Sequence, residues 1–229
     1  MPQASLQPSK RQYVQNADSK ALALARSLKG AKRTKFPEFV APLFPARAAR
    51  PPEGDNWLHE INYDGHRFQC HIHQGIRFFN RRGYDWTDRL GNLVFALEGP
   101  SQHPVIFDGE VLLDSPRGPS GLHGVEKELK RKRGSQRLTY YVFDILYLGG
   151  FDLRGAALID RRRVLSEVLR KVEGPVKLNE PFVEGHGAAV WRGACALGLK
   201  GIVSRRRDAP YRSGRSGVWV KSTCPSLPK

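Results

Sequence analysis

The sequence has few cysteines and no long run of apolar residues. Cys70, Cys195 and Cys224 are scattered through 229 residues without a Cys-x-x-Cys spacing. This pattern argues against a zinc finger or a disulfide framework and for a reducing compartment. No apolar run approaches the roughly 18 residues of a membrane span, and the N-terminus lacks the apolar core of a signal peptide. We therefore expect a cytoplasmic protein without a membrane partner.

Acidic residues are also scarce, since the chain has 22 Asp and Glu but 38 Lys and Arg, and its formal net charge is +16. A protein with this imbalance usually binds a polyanion, and nucleic acid is the commonest one. The excess is concentrated at the ends, because residues 1–35 and residues 200–229 each hold eight basic residues and one acid. We expect these ends to bind DNA phosphates without sequence preference, and the candidates in the second cluster are Arg205, Arg206, Arg207, Arg212 and Arg215.

The periodicity of the apolar residues indicates an α+β fold. Phe68, Cys70 and Ile72 alternate with polar residues, as in a half-buried strand, whereas Tyr140–Tyr147 is apolar almost throughout, as in a fully buried strand. Helical patterns lie between the strands. Along the chain we expect a basic, largely disordered extension with one short helix (17–29), then the folded domain, then a tail, with the bounds 1–35, 36–224 and 225–229.

Short motifs run in order through this domain. The segment Trp57–Arg67 reads W-L-H-E-I-N-Y-D-G-H-R, and it resembles the Lys-x-Asp-Gly motif of ATP-dependent DNA ligases, with Asn62 in the position of the lysine. The whole series resembles the adenylation domain of that family, closest to the ligase domain of bacterial non-homologous end-joining ligases. The further matching segments are Asn80–Thr87, Ile106–Val111, Tyr140–Tyr147, Gly198–Ser204, Asp208–Ser216 and Trp219–Lys221.

The resemblance implies a ligase-type nucleotidyltransferase fold with ATP-grasp-like antiparallel sheets and interspersed helices, and it implies ATP and Mg²⁺ as cofactors. Family positions place Phe143 against adenine and Glu110 by the ribose and the metal. Relatives continue into an OB-fold, which we do not expect within the eight residues that follow Lys221. The residues that match the family's nucleotide-binding positions are Glu60, Asp64, Arg67, Glu110, Phe143 and Lys221.

Three departures from the family pattern concern the chemistry. Asn62 replaces the lysine that attacks ATP, and an amide nitrogen is not a usable nucleophile because its lone pair is delocalised into the carbonyl. Lys200 replaces the metal-binding glutamate of the fourth motif, and Thr223 replaces the second lysine of the last motif. The charges expected at the pocket remain balanced, with two lysines (Lys200, Lys221) and two acids (Asp64, Glu110).

These departures lead to one favoured hypothesis and two alternatives. The favoured one is a ligase-family protein of bacterial DNA repair that is impaired in self-adenylylation and is retained for DNA binding, in the nucleoid, alongside an active ligase or end-joining protein. The first alternative is an active ligase or nucleotidyltransferase that uses Lys200 as a relocated nucleophile or relies on a partner subunit. The second is a vestigial protein without activity.

Overall fold

The computed structural model describes residues 10–63, 65–98, 103–114, 122–130, 137–170, 172–180 and 183–225, and it confirms the α+β fold. The helices in these ranges are α1 (Lys10–Ser27), α2 (Gly91–Leu97), α3 (Leu122–Leu129), α4 (Leu158–Leu169) and α5 (Gly187–Ala196). The strands are β1 (Lys32–Arg33), β2 (Leu43–Arg47), β3 (Gly54–Ile61), β4 (His66–Ile72), β5 (Ile76–Asn80), β6 (Val105–Leu113), β7 (Leu138–Leu148), β8 (Phe151–Asp152), β9 (Val176–Leu178), β10 (Val183–Gly185), β11 (Gly201–Arg206) and β12 (Gly214–Thr223).

The larger sheet has the strand order β1-β8-β7-β6-β4-β5, and β9 also pairs with β7. Its pairings are antiparallel except for the one between β7 and β9. β6 and β7 lie inside the sheet and are buried along almost their whole length, which explains why both strands are rich in apolar residues. α4 packs on β7, and α1 packs on α4. No helix in the described ranges is both long enough and apolar enough to cross a bilayer.

The smaller sheet has the order β10-β3-β11-β12-β2. β3, β11 and β12 are antiparallel neighbours, whereas β2 joins β12 in parallel. A cluster of buried residues from both sheets, including Ile106 and Phe143 from the larger and Leu43 and Trp219 from the smaller, holds the two sheets together. The motif residues on β3, β6, β7, β11 and β12 are therefore brought to one place, where the sheets meet.

β4 is more buried than its alternating sequence predicted. Gln69 and His71, on the face expected to be in solvent, are 2% and 6% exposed. Gln69 donates a hydrogen bond to the Val40 carbonyl oxygen at 2.5 Å, and the His71 ring packs against Phe36 and Phe79. The expectation of a half-buried strand is wrong because the segment before β2 covers this face.

The N-terminal segment contributes to the core, contrary to the expected disordered extension. α1 begins at Lys10 rather than at residue 17, and Ala21 and Ala25 are fully buried at the four-residue spacing of one helix face. Lys20 Nζ pairs with Glu167 Oε2 of α4 at 2.9 Å. β1 then pairs with β8. Residues 20–33 therefore pack onto the folded unit, so the expected extension is wrong for them.

Two of the three cysteines form a disulfide, contrary to the expectation of reduced thiols. Cys195 of α5 and Cys224, next to β12, are bonded with their Cα atoms 5.4 Å apart. They are 29 residues apart in the sequence and meet because β11, which follows α5, pairs with β12. Cys70 is a buried free thiol in β4. The cysteine argument for a reducing compartment therefore fails for this pair.

Candidate nucleotide site

A cavity of about 580 Å³ lies where the two sheets meet. It is lined by residues from both sheets and from the turn that follows β5. Its five cations outnumber its two acids, so the site favours an anionic ligand. The charged residues that line it are Arg67, Arg81, Arg82, Arg205, Lys221, Glu110 and Glu126.

Asn62 follows β3 and lines this cavity. It is 7% exposed, and its backbone N–H donates to the Gly201 carbonyl oxygen at 3.0 Å, which holds the first motif beside the start of β11. A carboxamide offers hydrogen-bond donors and an acceptor but no basic amine. Asp64, two residues further on, lies outside the described residues.

Glu110 faces the cavity from β6, where it is the register partner of Arg67 on β4. Its Oε1 accepts a hydrogen bond of 2.6 Å from the Gly65 N–H. A Cβ at position 65 would lie 2.4 Å from the Val111 carbonyl oxygen, so this approach requires glycine. Burial raises the pKa of the Glu110 carboxyl, and the Gly65 N–H and the charge of Lys221 act in the opposite direction.

The side chains of the described residues do not by themselves assemble a metal site. Within the described ranges, no three His, Cys, Asp or Glu side chains are grouped so that they could hold a metal ion. Mg²⁺ in nucleotide sites is usually bound through one or two carboxylates together with phosphates of the substrate. Glu110 therefore fits the role of one such carboxylate, and a ligand's phosphates would have to supply further oxygens.

Arg67 is committed to contacts within the protein. Its guanidinium pairs with Asp108 through Nε at 2.9 Å and Nη2 at 2.6 Å, and its Nη1 donates to the Leu43 carbonyl oxygen at 2.5 Å. Burial acts against the charged form, but Asp108 outweighs it, so the pKa of Arg67 is raised. Arg67 therefore ties the larger sheet, where Asp108 holds it, to Leu43 of the smaller sheet, besides lining the cavity.

Glu60 has both of its carboxylate oxygens bound by the protein's own side chains. It is 1% exposed, and its Oε1 accepts from Arg162 Nη1 at 2.5 Å. Its Oε2 accepts from Asn179 Nδ2 at 3.0 Å and from Arg205 Nη1. Neither Arg162 nor Asn179 belongs to a recognised motif, so no signal in the sequence assigned them to the site.

The ring of Phe143, expected to stack on adenine, is covered in this structure. Phe143 is 4% exposed and Trp219 is 3% exposed, and their rings meet edge to face with centroids 5.7 Å apart. The Arg205 guanidinium carbon lies 4.2 Å from the Phe143 ring centroid and 4.3 Å from that of Trp219. The Arg67 guanidinium carbon is more distant, 5.4 Å from the Phe143 centroid and 5.3 Å from that of Trp219. A base that stacked on Phe143 in this corner would have to take the place of Arg205, the closer of the two.

Arg205 is therefore not the surface phosphate contact that the basic cluster suggested. It is 5% exposed and points to Glu60, because it shares a face of β11 with Val203, which also lines the cavity. Arg206 and Arg207 are partly exposed, and Arg212 and Arg215 are exposed. Arg206 pairs with Asp208 through Nη2 at 2.7 Å.

Lys200 and Thr223 do not line the cavity, although their positions correspond to catalytic residues of the family. Both residues are exposed, and Thr223 is the register partner of Gly201, next to Lys200. The expectation that Lys200 projects into the cavity is not met, so Lys200 does not contribute to its charge balance as lining. Lys221, two residues before Thr223, does line the cavity.

The cavity suits the phosphates of a nucleotide but not its base. The cations that line the cavity suit phosphate groups, and Glu110 is placed to share a cation with them. The aromatic corner that would take the base is filled by Arg205. The residues present therefore fit the phosphates of ATP and, in this conformation, do not fit its adenine.

Comparison with known proteins shows a similarity to ATP-dependent DNA ligase domains. A family model described as the ATP dependent DNA ligase domain matches residues 24–222. The multifunctional non-homologous end joining protein LigD of Pseudomonas aeruginosa is 34% identical over 202 residues, which are 87% of this chain and 24% of that protein. A DNA ligase of Methanoculleus marisnigri is 34% identical over 171 residues, 71% of this chain and 31% of that protein.

Solved structures agree with this assignment. The ligase domain of LigD from M. tuberculosis superposes with a TM-score of 0.70 at 27% identity, covering 80% of this chain and 60% of that one. A mycobacterial DNA ligase D complexed with ATP and MES gives a TM-score of 0.69 at 27% identity, with the same coverage of both chains. The chain spans about a quarter of the length of the LigD proteins that it matches. Because the family model covers most of its length, the chain belongs to the ATP-dependent DNA ligase domain family.

Proposed function

We propose that the chain is a DNA-binding member of the ligase family that does not carry AMP on residue 62. The observation that supports this most directly is the carboxamide of Asn62, which lines the cavity where the family motif has a lysine. Without an amine at this position, the covalent intermediate of the family cannot form there. Lys200, the alternative nucleophile, is exposed and does not line the cavity.

The proposed role is in DNA repair by end joining. Its support is the similarity to relatives named as multifunctional non-homologous end joining proteins. A non-adenylylating relative has a use at a break if it holds DNA while an active ligase or another end-joining protein acts, and we propose such a protein as its partner in the bacterial nucleoid. ATP and Mg²⁺ are the cofactors that family membership implies.

We expect no covalent AMP adduct when the full chain is incubated with α-labelled ATP and Mg²⁺ or Mn²⁺ and then run on a denaturing gel. The physical reason is that a phosphoramide needs an amine within reach of the α-phosphate. A family member with an intact Lys-x-Asp-Gly motif, treated in parallel, shows that the labelling conditions work. An acid-labile band from this chain contradicts the proposal, and its loss in Lys200→Ala identifies Lys200 as the nucleophile and supports an active enzyme.

The DNA-binding part of the proposal rests on exposed cations at both basic ends. On the N-terminal side, Lys29, Lys32 and Arg33 are exposed around β1, and on the C-terminal side Arg212 and Arg215 are exposed before and within β12. Exposed guanidinium and ammonium groups bind phosphates without reading the sequence of bases. Arg206 and Arg207 are proposed contacts of the same kind.

DNA affinity should fall steeply with salt. In fluorescence anisotropy with a labelled duplex, the logarithm of the binding constant should fall linearly with the logarithm of salt concentration, by about 0.9 per neutralised phosphate. Arg212→Ala and Arg215→Ala should each flatten this slope by about 1 and weaken binding equally on unrelated sequences. Arg77→Ala, which removes an exposed arginine paired with Asp85 outside both ends, is the control. Weak DNA binding with no dependence on salt concentration would contradict the proposal and favour a vestigial protein.

A further inference from the structure

Arg205 occupies a corner formed by two aromatic rings. The planes of Phe143 and Trp219 lie at 84° to each other, and the guanidinium carbon of Arg205 is at nearly equal distances from the two centroids, 4.2 and 4.3 Å. Both distances are within the range of a cation–π contact, and the planar guanidinium is well suited to aromatic faces. The corner is therefore filled by a flat, delocalised group that belongs to the protein.

Glu60 holds the guanidinium of Arg205 in this corner, but its carboxylate also has other hydrogen-bond donors. Its Oε2 accepts from Arg205, but Oε1 is bound by Arg162 at 2.5 Å and Oε2 is also bound by Asn179 at 3.0 Å. If Arg205 leaves, the buried carboxylate keeps a cation and an amide as partners. The cost of an uncompensated buried charge does not arise at Glu60.

Arg205 is also held less favourably than Arg67, which lines the same cavity. Its Nε is buried and has no hydrogen-bond partner among the described residues. Burial lowers the pKa of Arg205, and the charge of Arg162 acts in the same direction against the attraction of Glu60. An unsatisfied buried donor costs stability. Arg205 therefore packs closely against both rings, but its Nε–H has no hydrogen-bond acceptor among the described residues.

We infer that Arg205 is a specificity-determining residue, which excludes a purine base from the corner of Phe143 and Trp219 so that the cavity holds its ligand through phosphates alone. The ligand class is then an oligophosphate group, whether or not a nucleoside is attached to it. The cations for this role remain in the cavity when the base is excluded, since Arg81, Arg82 and Lys221 line it apart from the corner. This inference deepens the proposed function and rests on it for the use of this cavity.

The test compares ATP with inorganic tripolyphosphate by isothermal titration calorimetry on the full chain. The unsubstituted protein should bind the two with nearly equal affinity, because the base adds no contact. Arg205→Ala removes the guanidinium that lies closest to both rings, while Arg67 stays bound to Asp108 at the larger distances of 5.4 and 5.3 Å. The variant should raise the ratio of ATP affinity to tripolyphosphate affinity by about tenfold, the size expected for one stacked base. The ratio is the readout because the loss of one positive charge weakens both polyanions together.

Two further variants keep the result interpretable. Arg77→Ala removes another arginine that lies over a ring, 4.9 Å from the Phe79 centroid and outside the cavity, and it should leave the ratio unchanged. Arg205→Lys keeps a cation for Glu60 but removes the planar group, and it should give an intermediate ratio even if Arg205→Ala fails to fold.

Three results would overturn the inference: a strong preference of the unsubstituted protein for ATP, an unchanged ratio in both Arg205 variants, or no tripolyphosphate binding. None of them alters the expected gel result at Asn62 or the salt dependence of DNA binding, so this inference and the proposed function fail separately.

Discussion

Asn62→Lys should leave the chain without a covalent AMP adduct, whereas the same lysine combined with Arg205→Ala, Lys200→Glu and Thr223→Lys should produce one. A new lysine at position 62 enters a cavity lined by five cations, which lowers its pKa and favours the nucleophilic amine. The obstacle is therefore not the amine. It is the placement of the adenine base, because Arg205 fills the corner where the base would stack. Lys200→Glu and Thr223→Lys restore the residues of the family motifs at their two positions.

This reason differs from the one that the sequence suggests. The motif series places Lys200 at a metal ligand's position, where it would repel a second lysine, but the structure has it exposed and outside the lining of the cavity. The labelled-ATP gel decides the matter, with Asn62→Lys, the combination without Arg205→Ala, and the full combination side by side. A strong adduct from Asn62→Lys by itself would show that Arg205 does not obstruct the base.

The fold could be predicted from the sequence where the periodicity is strong. The expected buried strand Tyr140–Tyr147 is present and is lengthened at each end in β7. The short strands β1, β8, β9 and β10 were not predicted, because two or three residues carry no period and form strands only by pairing with longer neighbours. α1 was placed too late because Tyr13 and Val14 are the only large apolar residues among its first eleven, and they do not repeat at helical spacing.

The order of the motifs predicted which residues line the cavity, but it did not predict the contacts that these residues make with one another. Asn62, Arg67, Glu110, Phe143 and Lys221 come from separate motifs and line one cavity. The sequence does not show that Glu60 and Phe143 are already engaged by Arg162 and Arg205, because composition assigns a run of arginines to the surface. Strand alternation was the available signal for Arg205, since it lies two residues after Val203 and faces the same side of β11.

The run Arg161–Arg163 in α4 is a second case in which composition alone does not separate buried arginines from exposed ones. As three consecutive arginines it indicates a solvated face or a phosphate contact. In the structure Arg161 is fully buried and Arg162 is 6% exposed, whereas the side chain of Arg163 is 71% exposed. The signal that separates them is helical spacing, because positions 161 and 162 share a face with Leu158 and Leu165, which pack in the core.

Arg161→Ala should therefore destabilise the protein by about 3–5 kcal/mol, because it leaves a buried carboxylate without its cation. Arg161 binds both oxygens of Asp144, through Nε at 2.8 Å and Nη2 at 2.7 Å, and Asp144 is fully buried. Arg163→Ala is the matched control, since it removes an arginine from the same helix whose ion pair with Asp160 lies at the surface, and its effect should be small. Urea unfolding followed by circular dichroism measures the free energy of unfolding of both variants.

Arg161→Met with Asp144→Leu should lose less stability than Arg161→Ala, because no charge is left unpaired. Equal losses in Arg161→Ala and Arg163→Ala would show that the buried pair does not contribute as its geometry indicates.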